Sequence, residues 1–278
     1  MNIKRIIKKI IQLRKEKEVI AIPQITGEKD LLKNKVAFIS GGSGGIGFSI
    51  AKSFLNCGCK VIIAGTNQKK MSSLISELDE NIKGSIKTFI HDLTNLNNLD
   101  QLVSNAVALF GKIDIFVNAA GTHTPSASFW DMTPDEYDRI MNINLKASFF
   151  LCQTFGKYMK ENAIIGHILV ISSSRGSEPA WSPYGISKWG INGMVKGLAE
   201  IMHPYGIVVN GIAPGPTATD LLGVKEGGDI FTLENNIGRY ALPSEISAYA
   251  KLMVSDLGNM VVGEILHISG GRGCYDIR

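Results

Sequence analysis

The sequence contains no uninterrupted apolar run of roughly eighteen residues, so no helix of it is expected to span a membrane. It also lacks an apolar core followed by an A-x-A-type cleavage site, and secretion is not expected. Cysteine is scarce. Cys57, Cys59, Cys152 and Cys274 are the four in 278 residues; none has a zinc-ligand or C-x-x-C spacing, and Cys57-x-Cys59 is too tight for a usual metal clip. Reduced thiols in a cytoplasmic protein, with no bound metal, are the expectation. Charged residues make up only 19% of the chain against 45% hydrophobic, the balance of a soluble globular protein large enough for one α/β domain with a sizeable core. Excess positive charge is missing from most of the length. The net charge of +4 arises because residues 1–17 carry +6 and the remainder −2, so the body of the chain is not a nucleic-acid binder.

The basic segment is patterned. Ile3, Ile6, Ile7, Ile10 and Ile11 recur at helical spacing between Lys and Arg, which predicts an amphipathic helix. Such a helix suits an anionic membrane surface, or docking on the same protein or a partner subunit. Residues 18–33 read as a linker in which Pro23 and Gly27 break any period. The chain therefore divides into an N-terminal extension and linker, residues 1–33, and a single domain, residues 34–278.

Within that domain short apolar runs alternate with helical stretches. Lys35 to Ser40 reads as a buried strand, followed at once by Gly41-Gly42-Ser43-Gly44-Gly45-Ile46-Gly47 and a helix to about Cys57. A strand, a glycine-rich turn and a helix N-terminus form a pyrophosphate site, because bare backbone N–H groups and the helix dipole both favour anions. The glycines fit three registers: 41/45/47, 42/44/47 and 41/44/47. Lys60 to Ala64 is a second strand, ending in Gly65-Thr66-Asn67. No acidic residue stands there to bind a ribose 2′-hydroxyl, Thr66 and Asn67 offer neutral hydrogen bonds, and Lys69 and Lys70 lie close by, so NADP(H) is favoured with NAD possible.

Ile86 to His91 forms a third strand closed by Asp92-Leu93-Thr94, where Asp92 could accept from an adenine amino group or serve as a helix cap. Asp114 to Asn118 forms a fourth, running into Ala119-Ala120-Gly121. Thr133-Pro134-Asp135-Glu136 is a capping box that opens a long helix carrying Asn144 in its interior. Gly166 to Ser172 is a fifth strand with Ser172, Ser173 and Ser174 at its C-terminal end, where open α/β sheets bind ligands. Val208 to Ala213, followed by Pro214-Gly215-Pro216-Thr217-Ala218-Thr219, is a sixth, and Glu264 to Ser269 before Gly270-Gly271 a seventh. Residues 220–240 show no clear period and suit a lid. The alternation implies a Rossmann-type, doubly wound parallel sheet of about seven strands with helices on both faces.

Tyr184-Gly185-Ile186-Ser187-Lys188 is the segment with the most chemistry. A Tyr and a Lys four apart on a helix share one face. An ammonium at ~4 Å in a medium of ε ~20 contributes roughly 4 kcal/mol, enough to bring a phenol from about 10 toward 7. Such a phenol can protonate a carbonyl or deprotonate an alcohol.

Taken together, Ser40-Gly41 with Gly45-Ile46-Gly47, Asp92, Asn118-Ala119-Ala120-Gly121, Asn144, Ser173, Tyr184 with Lys188, Pro214-Gly215 with Thr219, and Gly270-Gly271 resemble, in order and spacing, the compact short-chain dehydrogenase/reductases, over about residues 34–278. The resemblance implies a nicotinamide-dependent oxidoreductase acting on a secondary alcohol or ketone. It implies Tyr184 as acid/base, Lys188 as its partner and ribose ligand, Ser173 as donor to the substrate oxygen, and Asn144 as anchor of a proton-relay water. It implies cofactor contacts at Gly41, Ser43, Gly45, Ile46, Gly47, Thr66, Asp92, Leu93, Asn118, Ala120, Gly121, Pro214, Gly215, Thr217 and Thr219, besides Tyr184 and Lys188. A homo-oligomer, tetramer or dimer, is also implied.

The sequence departs from the family pattern at Ala119, Val208 and Ser269, and in the short Ser173 to Tyr184 spacing, which leaves Ser172 as a fallback. Ser173 is preferred because Gly176 follows it by three. Arg175 is placed to pair with a substrate carboxylate or phosphate, or to be a solvated surface residue. A dinucleotide-binding module without turnover, which would be expected to lack part of the tetrad, is one alternative. A nucleotide-sugar epimerase or dehydratase, which would need a longer C-terminal part, is another.

Overall fold

The computed structural model describes residues 27–123, 128–224 and 228–274; the amphipathic pattern of residues 1–17 lies outside them. Seven strands, β1 (Val36–Ser40), β2 (Lys60–Gly65), β3 (Ile86–Ile90), β4 (Ile115–Asn118), β5 (Gly166–Ile171), β6 (Ile207–Pro214) and β7 (Ile265–Ile268), form one sheet in the order β3-β2-β1-β4-β5-β6-β7. All six pairings are parallel. Every residue of β1, β4, β5 and β6 is buried. These strands therefore read as continuous apolar runs, as a sheet covered on both faces requires.

The helices are α1 (Gly45–Asn56), α2 (Gln68–Ser76), α3 (Glu80–Lys83), α4 (Leu99–Phe110), α5 (Pro134–Met141), α6 (Ala147–Glu161), α7 (Pro183–Met202) and α8 (Pro243–Met253). One core cluster joins Phe54 of α1 and Ile246 of α8 to Ile39 and Ile63 of the sheet. The other joins α4, α6 and α7 to the opposite face, where Phe116 and Phe155 stack with centroids 4.2 Å apart and Phe38 packs beside them. The chain direction across the sheet reverses between β1 and β4, so ligands are expected at the carboxyl ends of these strands.

Local chemistry positions the two helices that matter most. Ser182 Oγ accepts from the Gly185 N–H and Pro183 takes the first helical position, so α7 starts with Tyr184 in its first turn. Thr133 caps α5 by accepting from the Glu136 N–H, but Glu136 does not reach back to complete a capping box. Its carboxylate instead receives Nε and a terminal N–H of Arg139 at 2.6 and 2.8 Å. The predicted long helix is also not uniform: Asn142–Lys146 is a single π turn between α5 and α6, with Asn144 inside it.

A buried histidine lies at the opposite end of the sheet from that crevice. His167 on β5 is 3% exposed, and its Nδ1 has no hydrogen-bond partner among the described residues. Desolvation, with Lys35 adding to it against an opposing Asp256, pulls its pKa down to about 4. The unfolded chain therefore binds a proton that the folded one refuses between about pH 4 and 6.5. The stability this represents is fully present above 6.5 and is lost as pH falls toward 4. Going from pH 7 to pH 5 should cost about 2 kcal/mol through this residue. Urea denaturation at the two pH values should show that loss, and His167→Gln should remove it.

Candidate active site

The glycine turn after β1 has one register. A Cβ on Gly41, whose φ is +68°, would lie 2.7 Å from the Ala120 backbone; on Gly45, 2.6 Å from Thr219 Cγ2; on Gly47, 2.2 Å from the Gly41 carbonyl. Gly44 has only a 3.3 Å neighbour, so the registers through position 44 are not what packing demands. Gly44 N-caps α1 without a side-chain hydrogen bond, which leaves the helix N-terminus open to an anion. Around it stand Ser43, beside the end of β2 at Gly65, and Ala120 against Gly41. Thr66 is exposed at the end of β2, and Asn67 Oδ1 caps α2 by accepting from the Lys70 N–H at 2.9 Å. At the end of β3, Asp92 Oδ1 accepts from the N–H and hydroxyl of Thr94 at 2.9 and 2.8 Å in a local turn; it caps no helix, since α4 begins at Leu99 after Asn98, and Leu93 packs on the core. The turn, the open helix end and the neutral end of β2 fit a dinucleotide with a pyrophosphate at Gly45 to Gly47.

Asn118 uses its side chain internally. Its Oδ1 accepts from Ser40 Oγ and its Nδ2 donates to Ser148 Oγ, each at 2.6 Å, and Ser148 in turn donates to the Asn144 carbonyl. The Asn144 side chain faces the other way. Its Oδ1 accepts from the Thr122 N–H at 2.8 Å, and its Nδ2 donates to the Thr122 carbonyl at 2.9 Å and to Ser187 Oγ at 3.2 Å. The loop that follows Gly121 is thus clamped to the π turn, and every polar atom of the buried Asn144 amide is used, as burial demands.

At the end of β5 the two serines diverge. Ser172 Oγ donates to Asn192 Oδ1 on α7 at 2.5 Å, whereas Ser173 Oγ accepts from the Arg175 N–H at 3.2 Å and lines the same cavity as the Tyr184 phenol. Gly176 permits this: a Cβ there would lie 2.7 Å from the Lys188 carbonyl, so the short turn Ser174–Ser177 can rest on α7. Tyr184 and Ser173 line a cavity of about 330 Å³ with Ile46, His123, Pro214, Gly215, Thr217, Thr219, Arg175 and Arg272. Asn144 and Lys188 lie behind its wall, near Gly121.

The electrostatics differ from the expectation that Lys188 acidifies the phenol. Lys188 is buried and its Nζ donates to the Ile171 carbonyl at 3.1 Å, 5.6 Å from the Tyr184 ring centroid. Desolvation pulls the Lys188 pKa down to about 8. Desolvation likewise pushes the Tyr184 phenol above its ordinary value, against the Ser173 hydroxyl and the more distant Arg175 and Arg272. In the free protein the phenol is a protonated donor at neutral pH.

Of the cavity's residues, His123 and Glu234 lie in segments whose position alone places them near the site, whereas Arg272 carries no local signal in the sequence. His123 stacks on Tyr184 at 4.7 Å between centroids, in a loop held by Arg139, which donates to Thr122 Oγ1 at 3.1 Å and to the His123 carbonyl at 3.3 Å. Arg272 and Glu234 reach it from the C-terminal turn and from the segment after β6. Arg175, expected to face solvent or a substrate anion, pairs with Glu178 at 3.1 Å.

A profile of the family described as short chain dehydrogenase matches residues 35–227. The chain belongs to that family. A 3α-hydroxysteroid dehydrogenase of Mediterraneibacter gnavus is 33% identical over 250 residues, 86% of this chain and 97% of its own. A 3-oxoacyl-[acyl-carrier-protein] reductase of Rickettsia felis is 33% identical over 245 residues with the same coverage. Among solved structures, an actinorhodin polyketide ketoreductase with NADPH is 26% identical with a TM-score of 0.77, covering 87% of this chain and 98% of that one. The short chain dehydrogenases are oxidoreductases, and this chain has both the parallel sheet and the nucleotide crevice for nicotinamide chemistry.

Because overpacking costs about 1–3 kcal/mol, Gly47→Ala should lower stability by that amount and weaken dinucleotide binding, whereas Gly44→Ala should do neither. Thermal unfolding with and without dinucleotide measures both.

Proposed function

We propose that this short chain dehydrogenase transfers hydride between a nicotinamide dinucleotide, NADP(H) by preference, and a secondary alcohol or ketone, with Tyr184 as proton donor and acceptor. The observation that carries the reading is the meeting of the Ser173 hydroxyl and the Tyr184 phenol in one cavity with Ile46 and the Pro214–Thr219 segment. In the reducing direction a hydride reaches the carbonyl carbon while the Tyr184 proton passes to the carbonyl oxygen, which Ser173 steadies as charge builds. The raised phenol is protonated at neutral pH, as the reducing direction needs, but it is also a weaker acid than a free phenol. The nicotinamide supplies or takes the hydride, and its positive charge when oxidised favours the phenolate needed for alcohol oxidation. Lys188 holds the ribose side of the site, and Asn144 fixes the Thr122 loop over it.

The preference for NADP(H) rests on the exposed Thr66 and the absence of a carboxylate at the end of β2, with Lys69 and Lys70 exposed nearby. The NADPH of the polyketide ketoreductase points the same way. A cytoplasmic homo-oligomer, tetramer or dimer, completes the reading. Its support is the apolar groove between α6 and α7, lined by Leu145, Phe149, Phe150 and Met194, and the exposed Leu257 and Met260. Residues 1–17 would add a peripheral membrane or partner contact.

Tyr184→Phe should lower turnover by about 10²–10⁴-fold, the contribution of a positioned acid/base, and leave dinucleotide affinity within about twofold. Nicotinamide absorbance over a panel of ketones, with a binding titration alongside, tests this; a mutant with wild-type rates would overturn the mechanism.

A further inference from the structure

Arg175, Glu234 and Arg272, which line the cavity, belong to an ion-pair chain built from three parts of the fold and joined through Glu178. Gly270, Gly271 and Gly273 have φ values of +64°, +92° and +77°, and the turn they make is closed by Ser269 Oγ donating to the Arg272 carbonyl at 2.6 Å. This turn projects Arg272 inward, where its side chain is only 13% exposed. Arg272 Nε donates to Glu178 Oε1 at 2.8 Å, and Glu178 also receives Arg175 at 3.1 Å. Glu178, 17% exposed and shared between two arginines, is a fixed part of the wall. The remaining terminal nitrogen of Arg272, Nη1, pairs with Glu234.

Glu234 is a different kind of partner. Its side chain is 51% exposed and meets Arg272 alone among the described residues. The loop that carries it does not depend on that pair. Asn235 Oδ1 accepts from the N–H groups of Ile237 and Gly238 at 3.0 and 3.1 Å, and Asn235 Nδ2 donates to the Arg239 carbonyl at 2.8 Å. Asn235 also packs against Gly270, so the loop stays seated if Glu234 swings out. If it does, two guanidiniums face one carboxylate, and a poorly hydrated Arg272 lines the same cavity as Ser173 and Tyr184. A second carboxylate is the chemistry that fits that vacancy, since a guanidinium holds any planar carboxylate by the same charge-assisted hydrogen bonds.

We infer that Glu234 occupies the place of a substrate carboxylate, and that Arg272 selects compact hydroxy or oxo acids for the reaction. Size agrees with charge. The cavity of about 330 Å³ stands near the lower end of small-molecule sites, roughly 300–1,000 Å³. Its lining includes Ile46, Pro214, Gly215 and Thr219, residues expected to contact the dinucleotide, so what is left for substrate is small. Arg175, half-exposed and paired with Glu178 through one terminal nitrogen at 3.1 Å, lines the same cavity and flanks Arg272 there.

This inference rests on the oxidoreductase reading, and its test separates the two. The probes are hydroxy acids of four to six carbons and their methyl esters, which differ in little but charge. Binding is measured by calorimetry in the Tyr184→Phe protein saturated with oxidised dinucleotide, and turnover in the Tyr184 protein. At least one acid should bind about tenfold or more tighter than its ester, the range of a charge-assisted hydrogen bond. Arg272→Lys, which keeps the charge and loses the fork, and Arg272→Ala should reduce that ratio below about twofold by weakening acid binding more than ester binding. Glu234→Gln, a conservative change at a half-exposed position, should tighten acid binding about threefold by removing the competitor. Acid and ester bound alike, or neither bound, in both the parent and Glu234→Gln would overturn the inference even with turnover of other alcohols intact. Tight acid binding without turnover of any substrate would instead uphold the carboxylate site and overturn the oxidoreductase reading.

Discussion

Lys188 is shut away from water with its ammonium against the carbonyl of Ile171, and this placement constrains both elements that meet there. A cation with one carbonyl in place of a hydration shell is held at a cost, which is why its pKa falls to about 8. The surroundings hold it there nonetheless. Gly121 lets the loop after β4 pass close to the Lys188 Nζ, and Ser187, its neighbour, receives the Asn144 amide. From Asn144 the same set of bonds runs through Ser148 and Asn118 to Ser40 at the end of β1. A buried polar chain of this kind is stable only when its members are satisfied together, so strand ends, π turn and α7 are fixed as one unit. Tyr184, one turn before Lys188, inherits its position from that unit.

Much of this arrangement can be read from residues, because it follows from local rules. Tyr184 and Lys188 share a helix face by spacing alone, and Ser182-Pro183 marks where that helix must start. The parallel sheet follows from apolar runs too short for helices between glycine-rich turns. Ser173 could be preferred to Ser172 only through Gly176; that glycine lets the turn lie on α7, and Ser172 Oγ is committed to Asn192.

Other features have no local signature. The π turn at Asn142–Lys146 inserts no telltale residue, since it is set by what Asn144 must reach on Thr122 and Ser187. Arg272 is another: it is brought by the folded sheet to Glu178 and Glu234, whose own segments could be placed near the site by position. The direction of the Tyr184 shift was also illegible. Spacing shows that an ammonium can stand near a phenol, but desolvation depends on how completely the assembled neighbours exclude water, and here it dominates the phenol's surroundings. The segment from residue 228 to 240 looks formless in sequence, yet Asn235 folds it on itself by three hydrogen bonds.

A protonated phenol that yields its proton only when the site is loaded makes the protein a donor by default, with the second arm of the reaction set by the dinucleotide's own charge. The most direct measurement is a pH titration of ¹³C-labelled tyrosine by NMR, with the Tyr184 signal assigned by its loss in Tyr184→Phe. The account predicts that Tyr184 titrates above the ordinary phenol value of about 10 in the free protein and moves to lower pH when oxidised dinucleotide is bound. A Tyr184 that titrates near neutral pH in the free protein, or that does not respond to the dinucleotide, would contradict it.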